Sequence, residues 1–457
     1  FPEPRTRSRP PGHRFSPASD GLQSPFRRRP HHRDMPPRRG RSPGVAVRIL
    51  HVNKFLYRRG GAEAYMEDVA ALQRAAGDEV EFFGMDHPEN GESRFSASFP
   101  GYMQLEPQPR SLLGKARAAG RVVWSTSARR GMGEVVEAFR RDVVHLHNVY
   151  HQLSPSILRP LAQRDIPAVM TLHDYKLACP TYQLLDQGVP CQACVGGHFT
   201  QAVLRRCKGN SLTASSLAAF ELWLHTTAGA YGPVGRFVCP SRFLAAKMSE
   251  AGVFPERLRW LPHFIDTSAV ERKRERGGGV VFAGRLSPEK GVDTLIEAVG
   301  RLDCRLAIAG DGPERAHLGE LAETLAPGRV RFHGRVPKAE VHRLFRSAAV
   351  AAVPSRWFEN QPMTVLEAFA CAVPVVASDL GGLSELIDPG VDGDLVPPDD
   401  PEALAAALDR ILSRPSSALA MCGDARAKVM AQFDPQRHLA GLTGIYEEAA
   451  TMTGALR

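Results

Sequence analysis

Short apolar segments alternate with longer amphipathic segments along most of this 457-residue chain. Arg48–Phe55, Val143–His147 and Ala168–His173 have the character of buried strands, and helix-length segments separate them. This order is typical of α/β proteins, because two parallel strands must be joined by a crossover connection, usually a helix. Ligands of such sheets bind beyond the carboxyl ends of the strands, so functional residues are expected in the loops that follow strands.

A charged, glycine-rich segment separates two such series of strands. Residues 271–279 read ERKRERGGG, which offers little apolar surface and favours a flexible linker. A second series, which begins with Val280–Arg285, follows directly. The sequence therefore predicts two Rossmann-like domains facing each other across a cleft. The predicted boundaries are residues 47–267 for the first domain, 268–278 for the linker, 279–440 for the second domain and 441–457 for a C-terminal helix.

The net charge of the chain is concentrated at one end. Of the formal charge of +9, residues 1–44 carry +8, because they hold eleven arginines and three carboxylates. Ten prolines and few large aliphatic residues in the same segment predict a disordered tail over residues 1–46. A misassigned start and an arm for RNA or anionic lipid both stay open as explanations of this tail. The nearly neutral remainder argues against nucleic-acid binding by the folded part.

The apolar segments are all short. None approaches the ~20 apolar residues that a helix needs to cross a bilayer, and the first residues lack the basic and apolar regions of a signal peptide. The sequence therefore predicts a cytoplasmic protein and leaves open a peripheral contact with the inner face of the membrane.

Two glutamates stand out in residues 354–370, which read PSRWFENQPMTVLEAFA. Glu359 lies in the loop after a predicted strand, and Glu367 lies on the helix that follows. The free N–H groups of a helix N-terminus favour phosphate, and carboxylates beside them can accept hydrogen bonds from a sugar or a ribose diol. An acidic first turn that only stabilises the helix dipole is the alternative.

Two cations follow the first strand of the second series. Arg285 and Lys290 lie in FAGRLSPEK, at the expected carboxyl end of the sheet. Such cations bind phosphate through charge-assisted hydrogen bonds and can stabilise a leaving group that gains charge. For either residue alone, a solvated surface cation is the alternative.

Together these segments resemble family-4 glycosyltransferases of the GT-B fold. The resemblance rests on FAGRLSPEKGVDTLIEAV, LAIAGDGPE, VRFHGRVP and the Glu359-x7-Glu367 segment followed by Gly381 and Gly382, in the family's order and spacing. It extends over about residues 47–449. It implies transfer of a hexosyl group from a nucleotide-diphosphate sugar, with retention, to a carbohydrate, lipid-linked or small-molecule hydroxyl acceptor.

The same resemblance implies roles for the residues of the second half. Residues matching Arg285 and Lys290 bind the donor diphosphate in such enzymes, so no catalytic metal is expected. The residue matching Glu359 contacts the transferred sugar, and the one matching Glu367 binds the ribose. The turn at Arg335 and Val336 would flank the base.

Residues of the first half match the family as well. Gly60 and Gly61 match its glycine-containing loop, where backbone can approach a ligand closely. His173 matches its active-site histidine, and a structural histidine is the alternative. His147 and Asn148, at the end of the preceding strand, are expected to line the acceptor side.

One segment departs from the family pattern. Many members have Gly-Phe-Gly after the first glutamate, whereas this chain has Asn360, Gln361 and Pro362. The backbone N–H groups of Asn360 and Gln361 are still expected to be available to the donor, and Pro362 suits a helix start. The identity of the sugar therefore stays open, with GDP-mannose, UDP-glucose and UDP-N-acetylglucosamine as candidates.

Four cysteines cluster after His173 in an apparent insertion over about residues 176–210. Cys179, Cys191, Cys194 and Cys207 give the pattern C-x11-C-x2-C-x12-C. Four thiolates suit tetrahedral zinc and leave no open position for catalysis. A structural zinc ion and four reduced thiols both stay open. The insertion is expected to lie at the mouth of the acceptor site and to shape the choice of acceptor.

Two other classes of function stay open. A GT-B sugar phosphorylase or epimerase would use the same fold on another phosphate-bearing ligand. A nucleic-acid-binding protein acting through residues 1–44 would bind in a salt-sensitive way, but it leaves the residues of the second half unexplained.

Overall fold

The computed structural model describes residues 46–103, 111–272 and 277–453. The predicted tail, apart from Ala46, lies outside the described residues, as do residues 273–276 of the predicted linker. Ala46–Arg457 form one compact unit. No helix of the described ranges is long and apolar enough to cross a membrane.

The first half of the chain forms a parallel sheet with helices on both faces. Its strands are β1 (Arg48–Val52), β2 (Glu79–Phe83), β3 (Val143–Leu146), β4 (Ala168–Thr171), β7 (Arg236–Cys239) and β8 (Leu258–Trp260), with the small antiparallel hairpin β5 (Leu185–Asp186) and β6 (Val189–Pro190) apart from them. Its helices are α1 (Gly61–Ala75), α2 (Leu112–Val123), α3 (Thr126–Ala138), α4 (Leu158–Ala162), α5 (Thr200–Leu204), α6 (Leu212–Thr227) and α7 (Arg242–Glu250). The six strands are ordered β2-β1-β3-β4-β7-β8, so the order reverses between β1 and β3.

The second half repeats this arrangement. Its strands are β9 (Val280–Ala283), β10 (Leu306–Ala309), β11 (Val330–Gly334), β12 (Val350–Val353), β13 (Val375–Ser378) and β14 (Gly393–Val396). Its helices are α8 (Val292–Gly300), α9 (Arg315–Leu325), α10 (Lys338–Ser347), α11 (Met363–Ala370), α12 (Leu383–Leu386), α13 (Pro401–Ser413), α14 (Pro415–Gln432) and α15 (Pro435–Thr453). Single 3-10 turns lie at Ser96–Ser98, Pro155–Ile157, Pro255–Arg257 and Pro288–Lys290. The strand order β11-β10-β9-β12-β13-β14 reverses between β9 and β12.

Both sheets have the burial expected of parallel strands covered on both faces. Every residue of β3, β4, β12 and β13 is buried, and these strands consist largely of valine and alanine. Each sheet separates two apolar clusters, one for each layer of helices. The prediction of a doubly wound α/β fold is therefore confirmed. The edge strands β8 and β14 were missed, because they are short and carry polar residues.

The C-terminal helix returns to the first half of the protein. Helix α15 begins at Pro435, before the predicted start at residue 441, and packs beside α1 on the first sheet. Leu442 and Ala449 are fully buried there against Val69. The contact is close, because a Cβ atom on Gly235 would lie 3.2 Å from the Cβ of Ala449. The end of the chain is thus part of the core of the first half.

Candidate active site

The predicted donor residues follow the two strands between which the order of the second sheet reverses. β9 leads to Arg285 and Lys290, and β12 leads to the loop that carries Glu359. β9 and β12 pair directly, with Val280 opposite Val350. Because the carboxyl ends of adjacent parallel strands diverge at such a switch point, the two loops form the crevice where doubly wound folds bind ligands.

Lys290 and Glu359 form an ion pair in this crevice. Lys290 Nζ lies 2.6 Å from Glu359 Oε1, and Ser355 Oγ donates to the same oxygen at 2.8 Å. Glu359 is 6% exposed. Burial alone would raise the pKa of Glu359, but Lys290 and the hydrogen bonds outweigh it and hold the pKa below its ordinary value. Glu359 is therefore ionised at neutral pH and can only accept hydrogen bonds.

Two glycines allow the backbones of the crevice to meet. Gly291 has φ +64°, and a Cβ on it would lie 2.1 Å from the carbonyl oxygen of Pro354. On the other side of the loop, a Cβ on Gly382 would lie 1.6 Å from the carbonyl oxygen of Asn360. Side chains at either position would displace the loop that carries Glu359.

The N-terminus of α11 supplies donors beside this ion pair. No acceptor among the described residues bonds the backbone N–H groups of Asn360 and Gln361. These groups precede Pro362, the N-cap of α11, where the helix dipole is positive. The crevice therefore presents unbonded donors together with an ammonium group, an arrangement suited to an anion.

Glu367 lies one helical turn further along α11. Lys338 Nζ, at the start of α10, is 3.6 Å from Glu367 Oε1. Burial raises the pKa of Glu367, Lys338 opposes this rise, and Asp68 of α1 adds to it. The sequence reasoning missed Lys338, although its position just after the predicted turn at Arg335 and Val336 was a usable signal.

Three predicted residues stand apart from these contacts. Arg285 and Arg335 are exposed, and neither guanidinium makes a hydrogen bond or ion pair with a described residue. Val336 is half-buried and packs on the core of the second half. The structure therefore joins Lys290 to Glu359 and Glu367 to Lys338, but does not bring Arg285 into contact with either pair.

The side chains of Asn360 and Gln361 bind the first half of the protein. Asn360 Nδ2 donates to the carbonyl oxygen of Leu172 at 3.1 Å, and Ser241 Oγ donates to Asn360 Oδ1 at 2.8 Å. Gln361 Oε1 accepts from the backbone N–H of His263 at 2.7 Å. The residues that depart from the family pattern thus connect the two halves, a role that the sequence did not reveal.

His173 lies next to this connection. It follows Leu172 at the end of β4, and its ring stacks on that of His263 with centroids 5.6 Å apart. His173 Nε2 lies 3.0 Å from Nδ1 of the buried His147. Burial lowers the pKa of His173 to about 3, so the ring is neutral at physiological pH. His173 and the loop of Glu359 therefore face the same cleft.

The glycine loop of the first half leaves open space at its tip. A Cβ on Gly61 would have no atom within 4 Å, and one on Gly60 would make only an ordinary contact with Glu63. Asn148, at the end of β3, donates its backbone N–H to Asn53 Oδ1 at 2.9 Å. The buried Oδ1 of Asn148 has no partner among the described residues. Gly60 and Gly61 therefore leave room for a ligand, and Asn148 Oδ1 is an acceptor that a ligand could use.

Two further charged residues at the first sheet were missed. Lys54 follows β1, and burial lowers its pKa, which Asp174 partly offsets. Burial likewise raises the pKa of Asp174, which follows His173 directly. Their positions just after strand ends could have identified them, because that edge of a parallel sheet carries the ligand site.

The four cysteines of the insertion line one small pocket, together with Thr181 and Leu184. All four are free thiols. Burial raises the pKa of Cys194 to about 12 and that of Cys207 to about 11, with the neighbouring thiols adding to the rise. No three of the four Sγ atoms lie within 4.8 Å of one another in the described structure. Instead, Cys179 Sγ contacts Thr181 Oγ1 at 3.3 Å.

Three buried histidines do meet that spacing, but they do not suit a metal. The ligand atoms of His51, His145 and His147 all lie within 4.8 Å of one another. Both ring nitrogens of each histidine already face a hydrogen-bonding partner in the protein. A metal there would require several of these buried bonds to break, so the cluster is a hydrogen-bonded chain.

Comparisons with known proteins cover nearly the whole described chain. Residues 59–269 match the family model described as Glycosyltransferase Family 4, and residues 265–428 match the model described as Glycosyl transferases group 1. The alpha-D-kanosaminyltransferase of Streptomyces kanamyceticus is 32% identical over 175 residues, which are 37% of this chain and 45% of that protein. The chain spans less than half the length of the curated relatives that it matches.

Solved structures share the fold over a greater length. Sucrose-phosphate synthase from Thermosynechococcus elongatus matches 89% of this chain and all of its own, with a TM-score of 0.66 and 19% identity. HepE of Anabaena, in complex with UDP and glucose, matches 90% of this chain and all of its own, with a TM-score of 0.59 and 19% identity. Taken with the two family matches, the chain belongs to the group 1 glycosyltransferases of family 4 and has their GT-B fold.

Proposed function

We propose that this protein transfers a hexosyl group from a nucleotide-diphosphate sugar to a hydroxyl acceptor, with retention at the anomeric carbon. The observation that carries the proposal is the buried Lys290–Glu359 pair beside the unbonded N–H groups of Asn360 and Gln361. HepE, a protein of the same fold, was solved with UDP and glucose. A diphosphate and a sugar are the two chemistries that this crevice suits.

Different residues of the second half bind different parts of the donor. Lys290 and the N-terminus of α11 neutralise the diphosphate, and the exposed Arg285 adds a second cation. Glu359, which is ionised, accepts hydrogen bonds from sugar hydroxyls. Glu367 binds the ribose diol, and the turn at Arg335 and Val336 flanks the base.

The reaction proceeds by attack of the acceptor hydroxyl on C1 of the sugar, on the face from which the diphosphate leaves. The bond from C1 to the phosphate oxygen breaks as the bond from C1 to the acceptor oxygen forms, and the hydroxyl proton passes to the departing diphosphate. Charge builds on the phosphate oxygens in the transition state. Lys290, Arg285 and the α11 N-terminus stabilise that charge most strongly there, which lowers the barrier. Because these groups supply the positive charge, no catalytic metal is required.

The acceptor binds on the side of the first sheet. His173 and Asn148 face the cleft from the ends of β4 and β3, and the open space at Gly60 and Gly61 admits the ligand. Carbohydrate, lipid-linked and small-molecule acceptors all present the hydroxyl group that this side must bind. Such acceptors indicate that the protein acts in polysaccharide, glycolipid or glycoconjugate synthesis.

We also propose that the cysteine pocket binds a structural zinc ion. Cysteines separated by up to 28 positions, from Cys179 to Cys207, converge on one pocket, and a four-thiolate set suits tetrahedral zinc. Binding would deprotonate the thiols and replace the weak contacts of Cys179 with Thr181 and of Cys207 with Asp186. Elemental analysis is expected to give one zinc per chain, lost in Cys194→Ser. Absence of zinc from protein purified without chelator contradicts the site.

Peripheral contact with the inner face of a membrane is proposed for the exposed apolar side chains of α5 and α6. Phe220 and Trp223 on α6 are about half exposed, with ring centroids 5.9 Å apart, and Leu204 on α5 is 75% exposed. Exposed aromatic and aliphatic side chains favour the interface of a bilayer. Sedimentation with anionic phosphatidylglycerol vesicles is expected for the wild type and lost in Trp223→Ser. Equal sedimentation of both proteins would exclude this surface.

The enzymatic proposal is tested by nucleotide release. Purified protein is incubated with UDP-glucose, UDP-N-acetylglucosamine or GDP-mannose, with and without maltose, octyl glucoside and myo-inositol as acceptors. Transfer requires nucleoside diphosphate release that depends on an acceptor. Release that depends on inorganic phosphate would indicate a phosphorylase, and a changed sugar without release would indicate an epimerase. No release and no thermal stabilisation with any donor would refute the proposal.

A matched pair of variants separates the site from general stability. Lys290→Met removes the cation of the crevice and is expected to abolish release. Lys247→Met removes the cation of a Lys–Glu pair on α7, where Lys247 Nζ lies 2.7 Å from Glu250 and the Glu250 side chain is 50% exposed. That variant is expected to keep wild-type activity. Equal loss in both variants would contradict the role of Lys290.

A further inference from the structure

A chain of polar side chains runs from His173 into the interior of the first half. Its members lie on β1, β3, β4, α1 and α15 and follow in the order His173, His147, His51, Gln73, Tyr446, His145 and Thr171. Consecutive polar atoms lie 2.7 to 3.0 Å apart. All members beyond His173 are buried. Because each link is a hydrogen bond, the proton position on one ring constrains the next.

Each imidazole of this chain is neutral at physiological pH. Burial lowers the pKa of His51 to about 4 and that of His173 to about 3. Burial also lowers the pKa of His145 and His147 well below the ordinary value of 6.5. A neutral imidazole has one N–H group and one bare nitrogen, so each ring donates one bond and accepts the other. Once the donor of any one hydrogen bond in this chain is known, the donor of every other hydrogen bond in it is therefore known as well.

The amide of Gln73 sets that direction. Its Nε2 donates to the Tyr446 hydroxyl at 3.0 Å, which places its Oε1 2.7 Å from His51 Nε2. An amide oxygen only accepts, so His51 carries its proton on Nε2 and its Nδ1 is bare. His51 Nδ1 accepts from His147 Nε2 at 3.0 Å. His147 Nδ1 is then bare and accepts from His173 Nε2 at 3.0 Å.

The same direction continues on the other side of Gln73. The Tyr446 hydroxyl accepts from Gln73 Nε2 and donates to His145 Nδ1 at 2.8 Å. His145 then carries its proton on Nε2 and donates to Thr171 Oγ1 at 2.8 Å. The orientation of the Gln73 amide therefore determines which nitrogen is protonated on every ring of the chain.

We infer that this chain holds His173 as the Nε2–H tautomer, and that Gln73 and Tyr446 are positioning residues that act through it. The ring of His173 is partly exposed, and its Nδ1 has no partner among the described residues. His173 therefore presents a bare nitrogen that accepts a hydrogen bond. The identity of the ligand group rests on the proposed function: Nδ1 accepts from a hydroxyl of the sugar or of the acceptor and does not donate to phosphate.

The test uses two substitutions of Gln73. In Gln73→Glu the buried carboxyl is neutral, because burial raises its pKa, so its carbonyl accepts from His51 and its hydroxyl donates to Tyr446. That variant is expected to keep the tautomer. Gln73→Met keeps the length and removes both hydrogen bonds, so His173 is expected to populate both tautomers. Val69→Ala, also buried on α1, is the control for lost packing alone.

The readout is the long-range nitrogen–proton NMR spectrum of protein with 15N-labelled histidine, with the His173 signals identified from their loss in His173→Gln. Wild type, Gln73→Glu and Val69→Ala are expected to show His173 with a protonated Nε2 and a bare Nδ1. A protonated Nδ1 in the wild type would overturn the inference. An unchanged tautomer in Gln73→Met would overturn it as well; if Gln73→Met does not fold, Tyr446→Phe replaces it in this test.

Activity gives an independent readout. With a donor and an acceptor from the release assay, Gln73→Met is expected to lower kcat about tenfold with little change in KM for the donor, and Gln73→Glu to stay within about twofold of the wild type. Equal losses in Gln73→Met and Val69→Ala would show that packing alone matters. Because the NMR readout needs no substrate, failure of the proposed function leaves the tautomer test intact.

Discussion

Replacing Lys290 by methionine tests the electrostatics of the crevice. The change leaves Glu359 at 6% exposure without its cation, and only Ser355 keeps a hydrogen bond of 2.8 Å to the same oxygen. Breaking one side of a buried pair costs ~3–5 kcal/mol. Because the Lys290 side chain is 21% exposed, we expect the lower end, about 3 kcal/mol. Dividing this loss of free energy by the unfolding entropy expected for a unit of residues 46–457 gives a melting temperature about 3 °C lower.

The pH dependence of stability should change sign at the same time. In the wild type the pKa of Glu359 lies below its ordinary value of 4.5, so the stabilisation is complete above pH 4.5 and declines as pH falls through the lowered pKa. Without Lys290, burial dominates and places the pKa above 4.5. The variant should therefore gain stability, relative to the wild type, as pH falls from 7 towards 4.5. Differential scanning calorimetry across this range measures both effects.

A double variant separates charge from packing. Lys290→Met with Glu359→Gln has no buried charge, so its melting temperature should return to within about 1 °C of the wild type. Nucleotide release should stay absent, because both predicted donor contacts are gone. The reasoning is refuted if Lys290→Met is as stable as the wild type at pH 7, or if the double variant is no more stable than the single one.

Three further outcomes are expected. Asn360→Ala removes two hydrogen bonds between the halves, about 2 kcal/mol in total, so small-angle scattering should show a larger radius of gyration; an unchanged radius would show that Asn360 does not hold the halves together. Glu367→Gln should weaken binding of the preferred nucleoside diphosphate by about tenfold in calorimetry, and unaltered affinity would remove Glu367 from the ribose site. Buried histidines, with pKa values depressed below 6.5, bind protons on unfolding, so stability should fall by up to about 1.4 kcal/mol per pH unit for each as pH drops below 6.5; a flat melting temperature between pH 7 and 5 would contradict their burial.

The alternation of strands and helices, and the loops that follow the strands of the second half, could be read from the sequence because they depend on local patterns. The apolar runs at β12 and β13 are buried on both faces, so their composition alone predicts a parallel sheet. Glu359 follows such a strand within a few residues, and chain connectivity then places it at the ligand edge. Local pattern also located Lys290, whose turn is set by Gly291.

Contacts between distant segments could not be read in this way. Asn360 bonds Leu172 across 188 positions of the chain, and His145 bonds Tyr446 across 301. A single sequence has no periodicity that relates such residues. The same limit applies to the tautomer of His173, which depends on the C-terminal helix. It also applies to Lys338, which reaches Glu367 only because α10 and α11 are neighbours in space.

The central claim is that the second half holds a nucleotide-diphosphate sugar at the Lys290–Glu359 crevice. Calorimetric titration of UDP and of GDP into the wild type and into the double variant Lys290→Met with Glu359→Gln tests it most directly. One of the two nucleotides is expected to bind the wild type at one site per chain, and the folded double variant is expected to show no binding. Equal affinity of the wild type and the double variant, or no binding of either nucleotide to the wild type, would contradict the account.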